Sequence, residues 1–126
     1  SPSVEWLSLD DWSRERKELN KTIENWRADW ESRDTGRYLS HYSKRFKAGN
    51  QNFEEFAAEK QVNASKDWIK IKVNNLSVFR SPGKDEVVVV TFEQDYRSNN
   101  LSNVLKKRQY WIKEGGRWKI IYEGFA

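Results

Sequence analysis

Over the last third of the chain, apolar and polar residues alternate with a period of two. That alternation predicts three strands: Glu86–Ser98 (EVVVVTFEQDYRS), Asn103–Glu114 and Arg117–Phe125. The first turns into the second through the polar Asn99-Asn100 pair. The second turns into the third through Gly115-Gly116, a two-residue signal for a tight hairpin. A fourth strand is expected over Trp68–Arg80, where Ile69, Ile71 and Val73 alternate with Lys70 and Lys72. After Asn74-Asn75 the apolar phase moves to Leu76 and Val78, so one extra residue, a β-bulge, is expected there. Ser81-Pro82-Gly83-Lys84-Asp85 carries the residues of a turn.

The first half repeats differently. Trp12, Leu19, Ile23, Trp26 and Trp30 step by seven, four, three and four, which is one face of a helix. Arg14, Glu15, Lys17, Glu18, Lys21 and Glu24 fill the other face. Residues 1–7 read as a frayed lead-in. Ser8 reads as the helix N-cap, Asp11 as its capping-box acid, and Leu7 with Trp12 as a hydrophobic staple. Asp34-Thr35-Gly36 ends this helix and can cap the next. The spacing of Tyr38, Leu39, Tyr42 and Phe46 predicts a second, short helix, followed by a loop at Ala48-Gly49-Asn50. Asn52 and Glu55 form a capping-box pair that opens a third helix over Phe53–Asn63, with Phe53, Phe56 and Ala57 on its buried side. Helices followed by a run of strands predict one α+β domain over residues 1–126: three N-terminal helices packed on a strongly curved antiparallel sheet.

Composition changes this picture in two ways. Mean hydropathy is −1.00, yet 14% of the 126 residues are aromatic, which supplies a core that the low average would deny. The formal net charge of +4 allows an anionic partner without requiring one. There is no cysteine, which removes disulfides, thiolate catalysis and cysteine-type zinc sites. One histidine and scattered acids offer no metal-ligand set, so no metal and no cofactor are expected. The longest aliphatic run, Val87–Val90, is too short for a transmembrane segment. The start on Ser-Pro-Ser, without an initiator Met, suggests a processed chain or an excised domain.

Several stretches, in order, resemble nuclear transport factor 2-like domains. They are Trp26-Arg27-Ala28-Asp29-Trp30 followed by Asp34, Tyr38 and Tyr42; Phe92, Gln94, Tyr96 and Ser98 on one strand; Lys107 and Trp111 on the next; and Gly116, Trp118-Lys119-Ile120 and Glu123 at the end. The resemblance covers roughly residues 20–125. The chain is most similar to the small bacterial version that forms an accessory C-terminal domain in L,D-transpeptidase-like and cell-shape-determining peptidoglycan carboxypeptidases. Gln109 departs from the pattern, which has an apolar residue between Lys107 and Trp111. The resemblance implies a cone-like fold with a pocket between sheet and helices, and a periplasmic or cell-envelope location. It also implies a noncatalytic module that binds a peptidoglycan-type ligand or a protein partner. Other relatives are enzymes of the isomerase, dehydratase or cyclase type.

The candidate chemistry is confined to a few side chains. Gln94 and Tyr96 share one face of their strand, and Arg108 and Tyr110 share one face of the next. If the register turns both pairs inward, they line a ligand site with Tyr38 and Tyr42, and Glu123 can orient Arg108 through an ion pair. The plainer reading makes them core-edge residues that satisfy one another. For the enzyme alternative, Asp34 or His41 would be the base and Tyr38 or Tyr96 the donor to an enolate-like oxygen. Their plainer roles are a helix N-cap for Asp34 and a surface position for His41. Trp26, Trp30, Trp111 and Trp118 can stack sugars or bases, although at these spacings they read as core. A sheet face carrying Trp111 is a candidate surface for a homodimer. Lys106-Lys107-Arg108 with Arg14, Arg16 and Lys17 is a poor nucleic-acid patch, because acids are interspersed throughout.

Overall fold

Two glycines with positive φ, Gly115 at 57° and Gly116 at 80°, close the hairpin around which the computed structural model of the chain is built. It describes residues 9–62, 66–81 and 87–126. The lead-in, the Ser8 cap, the Asp11 capping-box side chain, Leu7 of the staple, the end of the third helix at Asn63 and most of the Ser81–Asp85 turn lie outside the described residues, while Trp12 packs against the core. Helix α1 spans Leu9–Glu31, α2 Thr35–Leu39 and α3 Phe53–Val62. The strands are β1 Tyr42–Ala48, β2 Gln51–Asn52, β3 Ile69–Arg80, β4 Val88–Ser98, β5 Ser102–Glu114 and β6 Arg117–Phe125. They form one six-stranded sheet in the order β2-β1-β6-β5-β4-β3.

The expected bulge lies in β3. Asn74 pairs with Glu93 and Ser77 with Thr91, so β3 carries one extra residue there, and Asn75 takes a φ of 55°. The capping box at α3 also forms. Glu55 N–H donates to Asn52 Oδ1 at 2.9 Å, and Asn52 N–H donates to Glu55 Oε1 at 3.3 Å.

The segment after Leu39 corrects the expected second helix. Helix α2 stops at Leu39, and Tyr42–Ala48 is the strand β1. It runs parallel to β6, so the sheet is mixed where an antiparallel one was expected. Tyr42 and Phe46 are four residues apart, which places them on one side of a helix or of a strand alike. The pairing with β6 decides between the two. Tyr42 lies opposite Ile120, and Ile120 N–H donates to the His41 carbonyl at 2.8 Å.

The helices cover one face of the sheet. Leu19, Ile23 and Trp26 of α1, Phe56 of α3, and Tyr42 and Phe46 of β1 meet Val88, Val90, Phe92, Trp111, Trp118 and Ile120 from the long strands. Burying each such large apolar side chain is worth about 1.5–3 kcal/mol. An unbroken series of rings runs through this core. Trp26 to Trp30 is 5.5 Å between centroids, Trp30 to Tyr38 5.4 Å, Tyr38 to Tyr42 5.2 Å and Tyr42 to Phe46 5.1 Å. Trp111 is fully buried, so its face of the sheet is the core face and not a pairing surface. The departure at Gln109 has its explanation here. Gln109 is also fully buried, and its Oε1 accepts the Trp111 indole N–H at 3.0 Å. Among the described residues no helix is long and apolar enough to cross a membrane.

Candidate functional site: a cationic cavity over the sheet

Inward-facing positions follow from the β4–β5 register. Phe92 pairs with Lys107, Gln94 with Leu105 and Tyr96 with Asn103, so these six share one face. Beneath the C-terminal end of α1 and beside α3, this face borders a cavity of about 300 Å³. Trp30, Tyr38 and Tyr96 supply aromatic wall, Ile69, Leu101 and Leu105 aliphatic wall, and Gln94 and Asn103 amides. Lys60 and Lys107 enter from α3 and β5, while Arg33, Asp34, Thr35 and Lys66 complete the lining.

The same register separates the expected site residues. Gln94, Tyr96 and Tyr38 line the cavity. Arg108 lies opposite Thr91 and Tyr110 opposite Val89, which places both on the other face of the sheet. There Tyr110 stacks on Tyr122 at 4.7 Å. Glu123 therefore does not pair with Arg108. It is buried on the inner face, where its Oε2 accepts the Tyr42 hydroxyl at 2.7 Å and its Oε1 lies 3.9 Å from Lys107 Nζ.

These contacts order a chain of hydroxyls. Tyr42 gives its proton to Glu123, so its oxygen is left to accept from Trp26 Nε1 at 3.1 Å and from the Tyr38 hydroxyl at 2.9 Å. Burial pushes both phenols well above the usual tyrosine range, and the neighbouring Glu123 charge adds to the effect. Tyr38 thus presents an acceptor oxygen to the cavity, its proton being committed inward.

Lys60 is held differently. Its ammonium lies 5.2 Å from the Phe56 ring centroid and 5.8 Å from that of Trp30. Burial lowers its pKa; the charges of Glu123 and Glu59 oppose that shift, and Lys107 adds to it. Among the described residues no carboxylate lies within ion-pair distance of Lys60. Gln94 Oε1 and Asn103 Oδ1 are buried on the cavity wall without a hydrogen-bond partner.

The two alternative bases are not brought together. Asp34 lies at the cavity rim and caps α2, its Oδ1 accepting from Arg37 N–H at 3.1 Å. His41 is not among the lining residues; its Nε2 lies 2.7 Å from Asp29 Oδ2. Trp26, Trp111 and Trp118 are core, and Trp30 alone of the four expected stacking tryptophans borders the cavity. Lys60, Lys107 and Asn103 were not among the expected site residues. Lys60 follows Phe56 by four positions, which places it on the buried side of α3, and that spacing is the signal that could have found it.

Comparison with known proteins agrees with this architecture. The family model described as the Cds6 C-terminal NTF2-like domain matches residues 18–124. Bd1075 of Bdellovibrio bacteriovorus superposes with a TM-score of 0.82 at 27% identity, over 98% of this chain and 44% of that one. The helical cell shape determining protein Pgp2 of Campylobacter jejuni gives 0.70 at 29% identity, over 81% of this chain and 38% of that one. An NTF2-like protein of unknown function from Pseudomonas putida gives 0.75 at 14% identity, over 90% and 87%. This last likeness is one of fold. The chain thus spans less than half the length of the first two. No curated protein matches the sequence.

Proposed function

The chain belongs to the Cds6 C-terminal NTF2-like domain family, and on that premise we propose that it is a noncatalytic binding module of a larger bacterial cell-envelope protein, holding a peptidoglycan-type ligand in the cavity over its sheet. The observation that carries this reading is the pair of buried acceptors, Gln94 Oε1 and Asn103 Oδ1, left without partners on the cavity wall. An unsatisfied buried acceptor costs about 1–3 kcal/mol, and a ligand N–H or O–H relieves that cost. The size of the cavity, about 300 Å³, and its mixture of flat rings and a few polar groups suit a small ligand or the end of a larger one.

The family supports the choice of ligand. Pgp2 is a helical cell shape determining protein, and this chain matches 38% of its length. In such a setting this chain would hold wall material or dock the rest of its protein on it. The noncatalytic part rests on the two bases: His41 is held by Asp29 away from the cavity, and Asp34 is engaged in capping α2.

Calorimetric titration of purified muropeptides into this chain tests the reading. Saturable binding is expected, weakened at least tenfold, about 1.4 kcal/mol, by Gln94→Leu. A folded chain that takes up no muropeptide at millimolar concentration rules the reading out.

A further inference from the structure

We infer that the cavity is built for the carboxylate end of a peptide, and that among peptidoglycan fragments it selects the peptide stem over the glycan. This rests on the ligand-binding reading of the same cavity. A charge mismatch marks its inner end. Lys60 and Lys107 both enter there, and the one buried carboxylate near them is Glu123. Glu123 already gives one oxygen to the Tyr42 hydroxyl, and its other oxygen lies 3.9 Å from Lys107 Nζ. Lys107 alone lies within ion-pair distance of that carboxylate, and among the described residues Lys60 has none within reach. Glu59, on α3 next to Lys60, is engaged by the Gln51 side chain. At the rim, Arg33 donates to the Lys66 carbonyl at 2.7 Å, Lys66 bonds the Asn100 side chain, and Asp34 caps α2. One ligand carboxylate between Lys60 and Lys107 would balance the inner end and relieve their mutual repulsion.

The wall beside these amines narrows the class further. Gln94 is 3% exposed, and its Oε1 is an acceptor without a donor; Asn103 Oδ1 is another. Tyr38 presents an oxygen whose proton is committed to Tyr42. Acceptors flanking an anion site call for N–H groups next to a carboxylate, which is what the end of a peptide carries. A neutral sugar brings hydroxyl donors and no anion, and so leaves the two lysines uncompensated.

Three probes decide the question by calorimetry with the intact chain. They are a peptidoglycan stem tripeptide with free carboxylates, the same peptide with every carboxylate converted to carboxamide, and a neutral N-acetylglucosamine oligomer. The acid is expected to bind at least tenfold more tightly than either of the others. Lys60→Gln, with an unchanged circular dichroism spectrum, is expected to bring the acid down to the amide's affinity; Lys107→Gln serves as the second variant. If the amide binds as well as the acid, or the oligomer binds better, the carboxylate inference fails while the ligand-binding reading stands. If none of the three binds, and intact muropeptides do not either, both fail.

Discussion

Tyr42 donates its hydroxyl proton to Glu123 at 2.7 Å, joining two residues 81 positions apart in the buried core. The bond ties β1 to β6 beneath the cavity and fixes the direction of the Tyr38 hydroxyl that bonds to it. In Tyr42→Phe the buried carboxylate loses its donor, and Trp26 Nε1 loses its acceptor. The expected loss is about 3 kcal/mol, since Trp26 Nε1 and the Tyr38 hydroxyl lose their buried acceptor and Glu123 keeps only the more distant Lys107. Glu123→Gln should cost less, because the amide oxygen still accepts from Tyr42. Urea unfolding of the two variants checks this, and a Tyr42→Phe chain within about 0.5 kcal/mol of the native one would refute it.

The β5–β6 hairpin gives a second expectation. Gly116 has a φ of 80°, a region that costs a residue with a Cβ about 1–2 kcal/mol. No atom lies within 4 Å of a Cβ built there, so Gly116→Ala isolates backbone strain from crowding. The expected outcome in chemical denaturation is a lower midpoint with an unchanged slope.

A pH dependence follows from Lys60. Burial lowers its pKa from the ordinary 10.5. Between the lowered value and 10.5 the unfolded chain binds more protons than the folded one, so this group's contribution to stability rises with pH across that window. Below the window its desolvation cost is fully present. Lys60→Met should therefore be more stable than the native chain at neutral pH, with the difference shrinking as pH approaches 10. Tyr38 and Tyr42 act in the opposite sense. Their raised pKa values keep them protonated when folded, so the stability they contribute falls as pH climbs above 10. Both chains carry these tyrosines, and taking the difference between them cancels that effect. A stability difference that does not change between pH 7 and pH 10 would contradict the account.

Much of the fold was legible where a single local rule decides the structure. Gly115-Gly116 fixes the hairpin, Asn52 and Glu55 cap α3, and the phase change at Asn74-Asn75 marks the bulge. Tyr42 and Phe46 were misassigned because a spacing of four fits a helix and a strand equally, and only the distant partner β6 chooses. The site was half legible for the same reason. Gln94 and Tyr96 follow from alternation, but the side to which Arg108 and Tyr110 point depends on a register that alternation does not set. Once Phe92 pairs with Lys107, Lys107 takes the inward place and Arg108 the outward one. Lys60 stayed hidden because a lysine in a charged helix reads as a solvated residue unless its spacing from Phe56 is weighed.

The central claim, that the cavity beneath Trp30 is a ligand site, is tested most directly by following backbone and indole N–H resonances while muropeptides are titrated into the chain. Saturable shifts are expected at Trp30, Lys60, Gln94, Tyr96 and Asn103, with Tyr110 and Tyr122 on the opposite face unmoved. Shifts centred on Tyr110 and Tyr122, or none at millimolar ligand in a folded chain, would contradict it.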